Sequence, residues 1–419
     1  MPTFSSCTVY CGSNFGSDSA CKIATEELAC LLARRSIDIF YGGGRVGLMG
    51  ALADAALGVG GRVIGVIPQF MAALERGHTG LTRLEIVDDM QTRKRIMLQE
   101  GDAFVCLPGG VGTLEEFFEV LEWSCSGRHS KPLGILNLGG MYDPLLDLLR
   151  RAEMEGFIDA ATLGCLVVAD TATDLLSRME SAQVTRSSSL PRRTVEKSLY
   201  EAARQQSVKA GADSCVILAS ERPGGHDEHC VAVEQLANSL AMSGSKVTLS
   251  AGGIEGSLSA AFVAAAHRSG SQVIGVVDSS GRGDAHPGFA CLDIVDMDHS
   301  GCVRQARKQR LFEHGCRFIA LPGGVDVWDE LFEIFSGAQL SRHDFPIGIL
   351  NSNCFYAPLL RLLENTVHAG FTEPEVLTYI VSAETPQELL WKLDKYSPTR
   401  VVKMVRPALH QLTQPRAAL

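Results

Sequence analysis

Residues 103–116 read Ala-Phe-Val-Cys-Leu-Pro-Gly-Gly-Val-Gly-Thr-Leu-Glu-Glu. The apolar run at 103–107 predicts a buried strand, and the glycines after it predict a tight loop that opens a helix near Thr113. Backbone N–H groups of such a loop, together with the positive end of the helix, attract an anion such as phosphate. Glu116 lies one turn inside the helix, within reach of a sugar attached to that phosphate. The stretch therefore predicts a nucleotide site.

Three further segments are predicted to reach the same edge of one sheet. Residues 9–13 end the first strand, the glycines of 41–44 follow the strand at 38–40, and 88–94 begin the helix that leads to residue 103. Ligands of open parallel α/β sheets bind at the carboxyl ends of the strands, so the four segments predict one site. The simpler alternatives are a glycine turn that only packs tightly, and an Arg93-Lys94 pair that is only a solvated helix face.

Together these segments resemble the LOG ("lonely guy") family of cytokinin-activating nucleoside-monophosphate phosphoribohydrolases, once mislabelled lysine decarboxylases. The family motif Pro-Gly-Gly-x-Gly-Thr-x-x-Glu is met in full by 108–116, and Met-x-x-Arg-Lys is met by 90–94. The similarity covers nearly all of 6–182. It implies a Rossmann-like α/β fold and hydrolysis of an N6-modified adenine (cytokinin-type) nucleoside 5′-monophosphate to free base and ribose 5-phosphate.

The resemblance also implies roles for individual residues. Arg93 and Glu116 are expected to be the catalytic pair. The expected substrate-binding residues are Gly43, Gly44, Glu75, Met90, Lys94, Gly109, Gly110, Val111, Gly112 and Thr113. A carboxylate such as Glu116 stabilises an oxocarbenium-like ribose, and cations neutralise the leaving base or the phosphate. How Arg93 and Lys94 divide those two tasks stays open.

The chain departs from the family pattern at three positions of the first copy. Glu122 stands where family members usually carry Thr, Cys125 where they carry Gln, and Gln91 where they carry His. These departures predict an altered base pocket.

The chain of 419 residues is long enough for two or three domains, and its central motif recurs. Residues 321–330 repeat 107–116 at a distance of 214 residues. The repeat predicts a family domain at 1–183, a linker with a short helix at 184–211, a second domain at 212–396 and a tail at 397–419. Because family members form homodimers, two fused copies predict an intramolecular pseudo-dimer, with further homo-oligomerisation left open.

The second copy is predicted to be degenerate. Asp326 and Val327 replace Gly112 and Thr113, which puts a carboxylate in the phosphate loop and removes a hydroxyl donor. The residues that persist in the second copy are Arg307, Lys308, Glu330 and Gln339. One working site per chain is therefore expected, with incidental retention as the simpler account of those residues.

Composition limits the partners. The net charge of −10 gives no electrostatic footprint for nucleic acid, and no apolar run approaches the roughly 18 residues of a membrane span. The 13 cysteines lack paired spacing and the 11 histidines form no cluster, so reduced thiols, no metal, no cofactor and a cytoplasmic location are predicted.

Two other functions remain open at this point. The first is a general AMP or purine-nucleotide nucleosidase. The second is a non-catalytic carrier of a nucleotide or nucleotide-like cofactor, against which Glu116 argues, because a carrier needs the glycine loop but no carboxylate beside the sugar. No lysine is placed for pyridoxal phosphate, so a decarboxylase is the weakest reading.

Overall fold

The computed structural model describes residues 4–75, 77–164, 166–184, 214–278, 285–295 and 303–397. The strands are β1 (Ser6–Tyr10), β2 (Asp38–Tyr41), β3 (Val63–Pro68), β4 (Arg83–Val87), β5 (Ala103–Cys106), β6 (Leu133–Leu136), β7 (Leu166–Ala169), β8 (Ser214–Leu218), β9 (Lys246–Leu249), β10 (Val273–Asp278), β11 (Cys291–Val295), β12 (Arg317–Ala320), β13 (Ile347–Leu350) and β14 (Ile380–Ala383).

The helices of the first half are α1 (Ser19–Arg34), α2 (Gly47–Gly58), α3 (Gln69–Glu75), α4 (Met90–Glu100), α5 (Val111–Cys125), α6 (Asp143–Met154), α7 (Ala160–Leu163) and α8 (Ala172–Val184). Those of the second half are α9 (Asp227–Met242), α10 (Leu258–Arg268), α11 (Val303–His314), α12 (Val325–Gln339), α13 (Ala357–His368) and α14 (Pro386–Asp394). Among the helices of the described ranges, none combines the length and the hydropathy that a membrane span needs.

Each half of the chain forms its own parallel sheet. In the described residues the strand orders are β4-β3-β2-β1-β5-β6-β7 and β11-β10-β9-β8-β12-β13-β14, so the second sheet repeats the first. The central strands are short apolar runs that are buried on both faces, as helices on both sides of a parallel sheet require. The predicted Rossmann-like α/β fold in tandem is confirmed.

The order of the first sheet reverses between β1 and β5. These strands are paired in register from Cys7 opposite Ala103 to Tyr10 opposite Cys106. Directly beyond them, the Gly12 amide donates to the Pro108 carbonyl at 3.1 Å. The crevice at such a reversal is the usual ligand site of a doubly wound sheet.

The two halves pack together through equivalent helices. Helix α5 packs on α12, and α6 packs on α13. At the α5–α12 contact, the Phe118 ring lies 5.6 Å from that of Trp328 and 4.8 Å from that of Phe332, between ring centres. Buried side chains of both halves form one continuous apolar core. The two copies therefore pack against each other through equivalent helices within one chain, and the pseudo-dimer stays a prediction.

The domain limits at 1–183 and 212–396 stay a prediction. Most of the 184–211 linker, with its expected helix, lies outside the described residues, as does the tail from 398 onward.

Candidate active site

A cavity lies at the carboxyl ends of β1 and β5. Its lining from the first copy comprises 11–14, Met49, Met71, Met90, Arg93, 110–113, Glu115 and Glu116. The second copy contributes Ser336, Gln339, Leu340, Phe371, Glu373 and Val376. The cavity is therefore built by both copies.

The predicted phosphate loop lies at this cavity. Helix α5 begins at Val111, two residues earlier than predicted, with Gly110 as its N-cap. The amides of Thr113 and Leu114 donate to the Gly110 carbonyl at 3.0 and 3.1 Å, and amides nearer the helix start have no intrahelical acceptor. A Cβ atom at Gly112 would meet open space, so the first turn of α5 faces a free volume that suits an anion.

Two positions of the loop must be glycine because neighbouring atoms leave no room for a side chain. A Cβ atom at Gly109 would collide with the Thr113 side chain, and one at Gly110 would lie 2.8 Å from the Phe371 carbonyl oxygen and from Thr372 Oγ1. Gly109 does not itself line the cavity, and it supports the loop from behind. The loop is thus compressed between its own helix and the second copy.

The predicted catalytic residues are brought together. Arg93 Nη2 lies 3.3 Å from Glu116 Oε1, and both side chains face the cavity while remaining mostly buried. Arg93 is on the first turn of α4, which is capped by Asp89 accepting from the Thr92 amide at 2.7 Å. Its Nη1 atom lies 3.4 Å from the sulfur of Met71 and 3.7 Å from that of Met90. Because thioethers are weak acceptors, Arg93 retains its capacity to bind an anionic or electron-rich group.

Gly42 supports Arg93 and was missed among the site residues predicted from the sequence. A Cβ atom at Gly42 would collide with the Arg93 guanidinium group and lie 3.2 Å from the Met49 sulfur. The equivalent residue of the second copy is Ala251. That difference between the copies is the sequence signal that could have identified Gly42.

Lys94 occupies a different place from the one predicted. It does not line the cavity; its Nζ atom lies 3.0 Å from Glu115, 3.1 Å from Glu119 and 3.5 Å from Glu333. On the other side of Glu333, the equivalent Lys308 approaches that carboxylate at 2.7 Å. Lys94 therefore joins the copies through buried carboxylates, because adjacent residues of a helix point in different directions and Arg93 takes the cavity side.

The charges of this buried cluster shift one another's pKa values. Burial alone would lower the pKa of Lys94, but Glu119, Glu333 and Glu115 raise it well above the usual value. Burial raises the pKa of Glu119, with the two lysines opposing it. Burial acts in the same direction on Glu333, yet Lys308 and Lys94 hold its pKa well below the usual range. Both lysines are accordingly charged at neutral pH and hold α5 and α12 together.

Gly43 and Gly44, two more of the predicted substrate-binding residues, lie outside the lining of the cavity. Gly43 has a φ of +77°, and its carbonyl accepts from the His78 amide at 3.0 Å. Gly44 forms an isolated antiparallel bridge with Gly77. Glu75 is the last residue of α3, and its side chain lies outside the described part of the structure. Gly43 and Gly44 therefore shape the loop that brings Gly42 against Arg93.

In the equivalent site of the second copy, the charged side chains are paired with one another. Arg307 is 2.8 Å from Glu330 and 3.3 Å from Glu221. Ser220 Oγ donates to Asp326 Oδ2 at 2.8 Å, which holds the carboxylate over the start of α12. The Glu330 side chain is 2 % exposed, whereas that of Glu116 is 11 % exposed. At the start of α12, the Asp326 carboxylate thus stands where the first copy presents the open Gly112.

Two of the residues that were expected to alter the first copy's base pocket do not lie at the first cavity. Glu122 and Cys125 lie near the end of α5 and line the second cavity, together with Phe157 and Ile158. Ser336 and Gln339, the equivalents of Glu122 and Cys125, line the first cavity. The reason is that each of these helices, 15 residues long, begins at its own cavity and ends at the cavity of the other copy.

Comparisons with known proteins agree with this arrangement. The family model described as "Possible lysine decarboxylase" matches residues 49–179 and 260–393, which is more than half of the chain and falls in both copies. The cytokinin riboside 5′-monophosphate phosphoribohydrolase of Rhodococcoides fascians is 50 % identical over 168 residues, which are 40 % of this chain and 85 % of that protein. A probable enzyme of the same name from Oryza sativa subsp. japonica, LOGL1, is 45 % identical over 43 % of this chain and 79 % of its own length.

Solved structures are matched at lower similarity. The molybdenum cofactor carrier protein of Chlamydomonas reinhardtii is 16 % identical, with a TM-score of 0.34, over 43 % of this chain and 98 % of that one. The molybdenum cofactor binding protein of Rippkaea orientalis is 17 % identical, with a TM-score of 0.33, over 42 % and 94 % of the two chains. From the family match and the identity to its curated relatives, the chain belongs to the LOG family and contains two copies of the family domain.

Proposed function

We propose that this chain hydrolyses the N-glycosidic bond of a purine nucleoside 5′-monophosphate whose base is an N6-modified adenine of the cytokinin type, releasing free base and ribose 5-phosphate. The relatives at 42–50 % identity that carry this activity in their names support the substrate class. The observation that carries the proposal is the Arg93–Glu116 pair, 3.3 Å apart, beside the open first turn of α5.

The glycine loop is the proposed phosphate site. The first amides of α5 and the Thr113 hydroxyl are hydrogen-bond donors, and the helix end adds a favourable potential for a dianion. No side chain at Gly112 fills that volume. Binding the 5′-phosphate there places the attached ribose one helical turn further in, at Glu116.

Glu116 is proposed to stabilise the ribosyl cation. As the bond between C1′ and the base nitrogen breaks, positive charge develops on the ribose, and a nearby carboxylate lowers the energy of that state. Water then adds its oxygen to C1′; one of its protons is released and the base nitrogen gains one. The carboxylate also orients the ribose hydroxyls or the attacking water.

Arg93 is proposed to neutralise negative charge on the departing base or on the phosphate. A guanidinium group stays protonated throughout the physiological pH range, so it acts as a fixed cation rather than as a proton donor. Its contact with Glu116 orients it, while the methionine sulfurs do not compete strongly for its donors. Lys94 acts at a distance, by fixing Glu115 and α5.

The experiment is a comparison of AMP, N6-prenylated AMP and the two corresponding nucleosides, with free base and ribose 5-phosphate measured after incubation with the pure protein. Both nucleotides should be hydrolysed, the prenylated one faster. The nucleosides should lose about 3–5 kcal/mol of transition-state stabilisation, because the phosphate interactions are missing. Comparable rates for nucleosides would contradict the phosphate site.

The same assay separates the other functions. Equal rates for AMP and prenylated AMP would favour a general purine-nucleotide nucleosidase, and binding without release of ribose 5-phosphate would favour a carrier. We further propose a cytoplasmic location and no nucleic-acid partner, in line with the net charge of −10.

A further inference from the structure

His78 lies on a turn after α3, outside the lining of the first cavity, and its side chain is mostly buried. Its Nδ1 atom accepts a hydrogen bond from the Gly80 amide at 3.0 Å, and its Nε2 atom lies 2.9 Å from Oδ1 of Asp54 on α2. A backbone amide can only donate, so Nδ1 carries no proton and Nε2–H donates to the carboxylate. The ring therefore has one defined tautomer and joins the turn at 77–80 to α2.

This turn holds the glycine loop that follows β2. The His78 amide donates to the Gly43 carbonyl at 3.0 Å, and the first residue of the turn forms the antiparallel bridge with Gly44. Gly42 belongs to the same loop and lies directly against the Arg93 guanidinium group. The turn therefore fixes one of the supports of that group.

The same turn is bonded to α3. The Gly77 amide donates to the Ala72 carbonyl at 3.2 Å. The neighbouring residue on the helix, Met71, has its sulfur 3.4 Å from Arg93 Nη1. Gly42 and Met71, which both contact the guanidinium group, are thus held by elements that are bonded to one turn.

The second copy repeats the turn but surrounds its arginine differently. The His286 amide donates to the Gly252 carbonyl at 2.8 Å, and its Nδ1 atom accepts from the Gly288 amide at 3.0 Å. The arginine of that copy, Arg307, is paired with two carboxylates. The same local structure therefore occurs in a copy for which no working site is proposed, and it offers an internal control.

We propose that His78 is a positioning residue, whose hydrogen bond with Gly80 fixes the turn and, through the turn, holds Arg93 beside Glu116. The inference rests on the proposed function, in which Arg93 and Glu116 carry out the reaction. It goes beyond that function by naming a residue outside the cavity on which turnover depends. Because His78 does not line the cavity, it acts through Arg93 and not on the substrate.

The first experiment compares His78→Ala with His286→Ala, the same substitution at the equivalent turn. Thermal melting of each full-length variant measures Tm, which both substitutions should lower, because each turn loses a hydrogen bond. Steady-state kinetics on N6-prenylated AMP measure kcat and KM. His78→Ala should lower kcat about tenfold and keep KM within about twofold, since the proposed phosphate site lies on a different element, α5. His286→Ala should keep kcat within about twofold.

A second pair of substitutions tests the hydrogen bond with Gly80. His78→Asn places an amide oxygen close to the position of Nδ1, so it keeps an acceptor and should bring kcat back to within about threefold of the wild type. His78→Leu fills similar space without an acceptor, and its kcat should stay as low as that of His78→Ala. If the ring only filled space, His78→Leu would be as active as His78→Asn, and the inference would be overturned.

NMR of the Arg93 side chain gives a readout that needs no turnover. In protein with isotope-labelled arginine, the Arg93 Nε–H signal is assigned by its loss in Arg93→Lys. It should shift in His78→Ala and keep its position in His286→Ala.

Three results would contradict the positioning role: an unchanged kcat in His78→Ala, equal losses of kcat in His78→Ala and His286→Ala, or an Arg93 signal that does not move. The proposed function fails differently, through a wild-type protein that hydrolyses no nucleotide. The Arg93 signal then still decides whether His78 positions this side chain.

Discussion

The two cavities of this chain are built from equivalent elements but differ in what fills them. In the first, the space beside Gly112 is open and Glu116 reaches the cavity; in the second, Asp326 covers the helix start and Glu330 is held by Arg307 at 2.8 Å. The difference shows that the same Arg–Glu pair has different neighbouring charges in the two copies, and from it we predict that only the first cavity is a working site. Between the cavities, by contrast, the buried cluster of Lys94 and Lys308 is nearly symmetric.

The largest expected effect is a difference in kcat between substitutions of Glu116, the partner of Arg93, and of Glu330, the partner of Arg307. Glu116→Gln should lower kcat about 10³-fold or more, because the charge that stabilises the ribosyl cation is gone while size and hydrogen bonding remain. Glu330→Gln should leave kcat within about twofold, because Glu330 does not line the first cavity. Steady-state kinetics on AMP derivatives make the comparison. If both substitutions lowered kcat equally, either the second cavity would be catalytically active or Glu330 would contribute to the first site.

The next effect concerns stability and the shared cluster. Lys94→Met and Lys308→Met should each lower the free energy of unfolding by about 3–5 kcal/mol, because buried carboxylates lose their counter-charge. Urea unfolding at neutral pH measures both. If Lys94 binds substrate, as the sequence suggested, then Lys94→Met will instead raise KM with little loss of stability, and Lys308→Met will not.

Acid should reduce the loss of unfolding free energy that Lys94→Met causes. The depressed pKa of Glu333 means that its charged form stabilises the fold above the unfolded value of about 4.3, and this stabilisation is lost as the pH falls toward the folded value. The raised pKa of Glu119 acts in the opposite sense, since its protonated form is favoured in the fold. Unfolding curves at two pH values should therefore show a smaller cost of Lys94→Met at the lower one.

A smaller effect is expected from moving the second copy's carboxylate into the first. Gly112→Asp should reduce kcat/KM about 100-fold, because the new carboxylate repels the phosphate at the start of α5. The reciprocal Asp326→Gly should create no second activity, since Arg307 stays paired with Glu221 and Glu330. If Gly112→Asp retained the wild-type kcat/KM, the proposal that the substrate phosphate binds at this loop would be contradicted.

The smallest effect tests the support of Arg93. Gly42→Ala should reduce kcat roughly tenfold, because the added methyl group displaces the guanidinium from its place beside Glu116. Ala251→Gly is the matched control and should not change kcat. A Gly42→Ala variant with unchanged kcat would show that Arg93 tolerates displacement, and that its exact position is not needed for turnover.

The strand, glycine loop and helix of 103–116 could be predicted because apolar runs, glycines and a helix start are local features of the chain. The location of Arg93 and Glu116 at the same edge of the sheet could be expected, because α4 and α5 both begin at the carboxyl ends of parallel strands. Helix α5 starts at Val111 rather than near Thr113, a difference of the size that is usual when helix ends are assigned. The site roles themselves remain predictions, supported by these positions.

The role of Gly42 and the direction of Lys94 were out of reach of local reasoning. Gly42 matters because a side chain 51 positions later rests on it, and Lys94 turns from the cavity because Glu333 of the other copy lies behind it. Both facts depend on which elements pack together. Spacing along the chain contains no such information.

The sequence by itself determined the parallel α/β architecture, the duplication and the degeneracy of the second glycine loop, because each follows from residue types at fixed spacing. Only the tertiary structure decided which copy completes which cavity. Gln339 is far from Gly112 in the chain, and the packing of α5 on α12 brings both to one cavity while carrying Cys125 to the other. Side-chain packing between the two copies decides which cavity each end of α5 and α12 reaches. The order of residues along the chain does not contain this information, because it is the same whichever way the two helices cross.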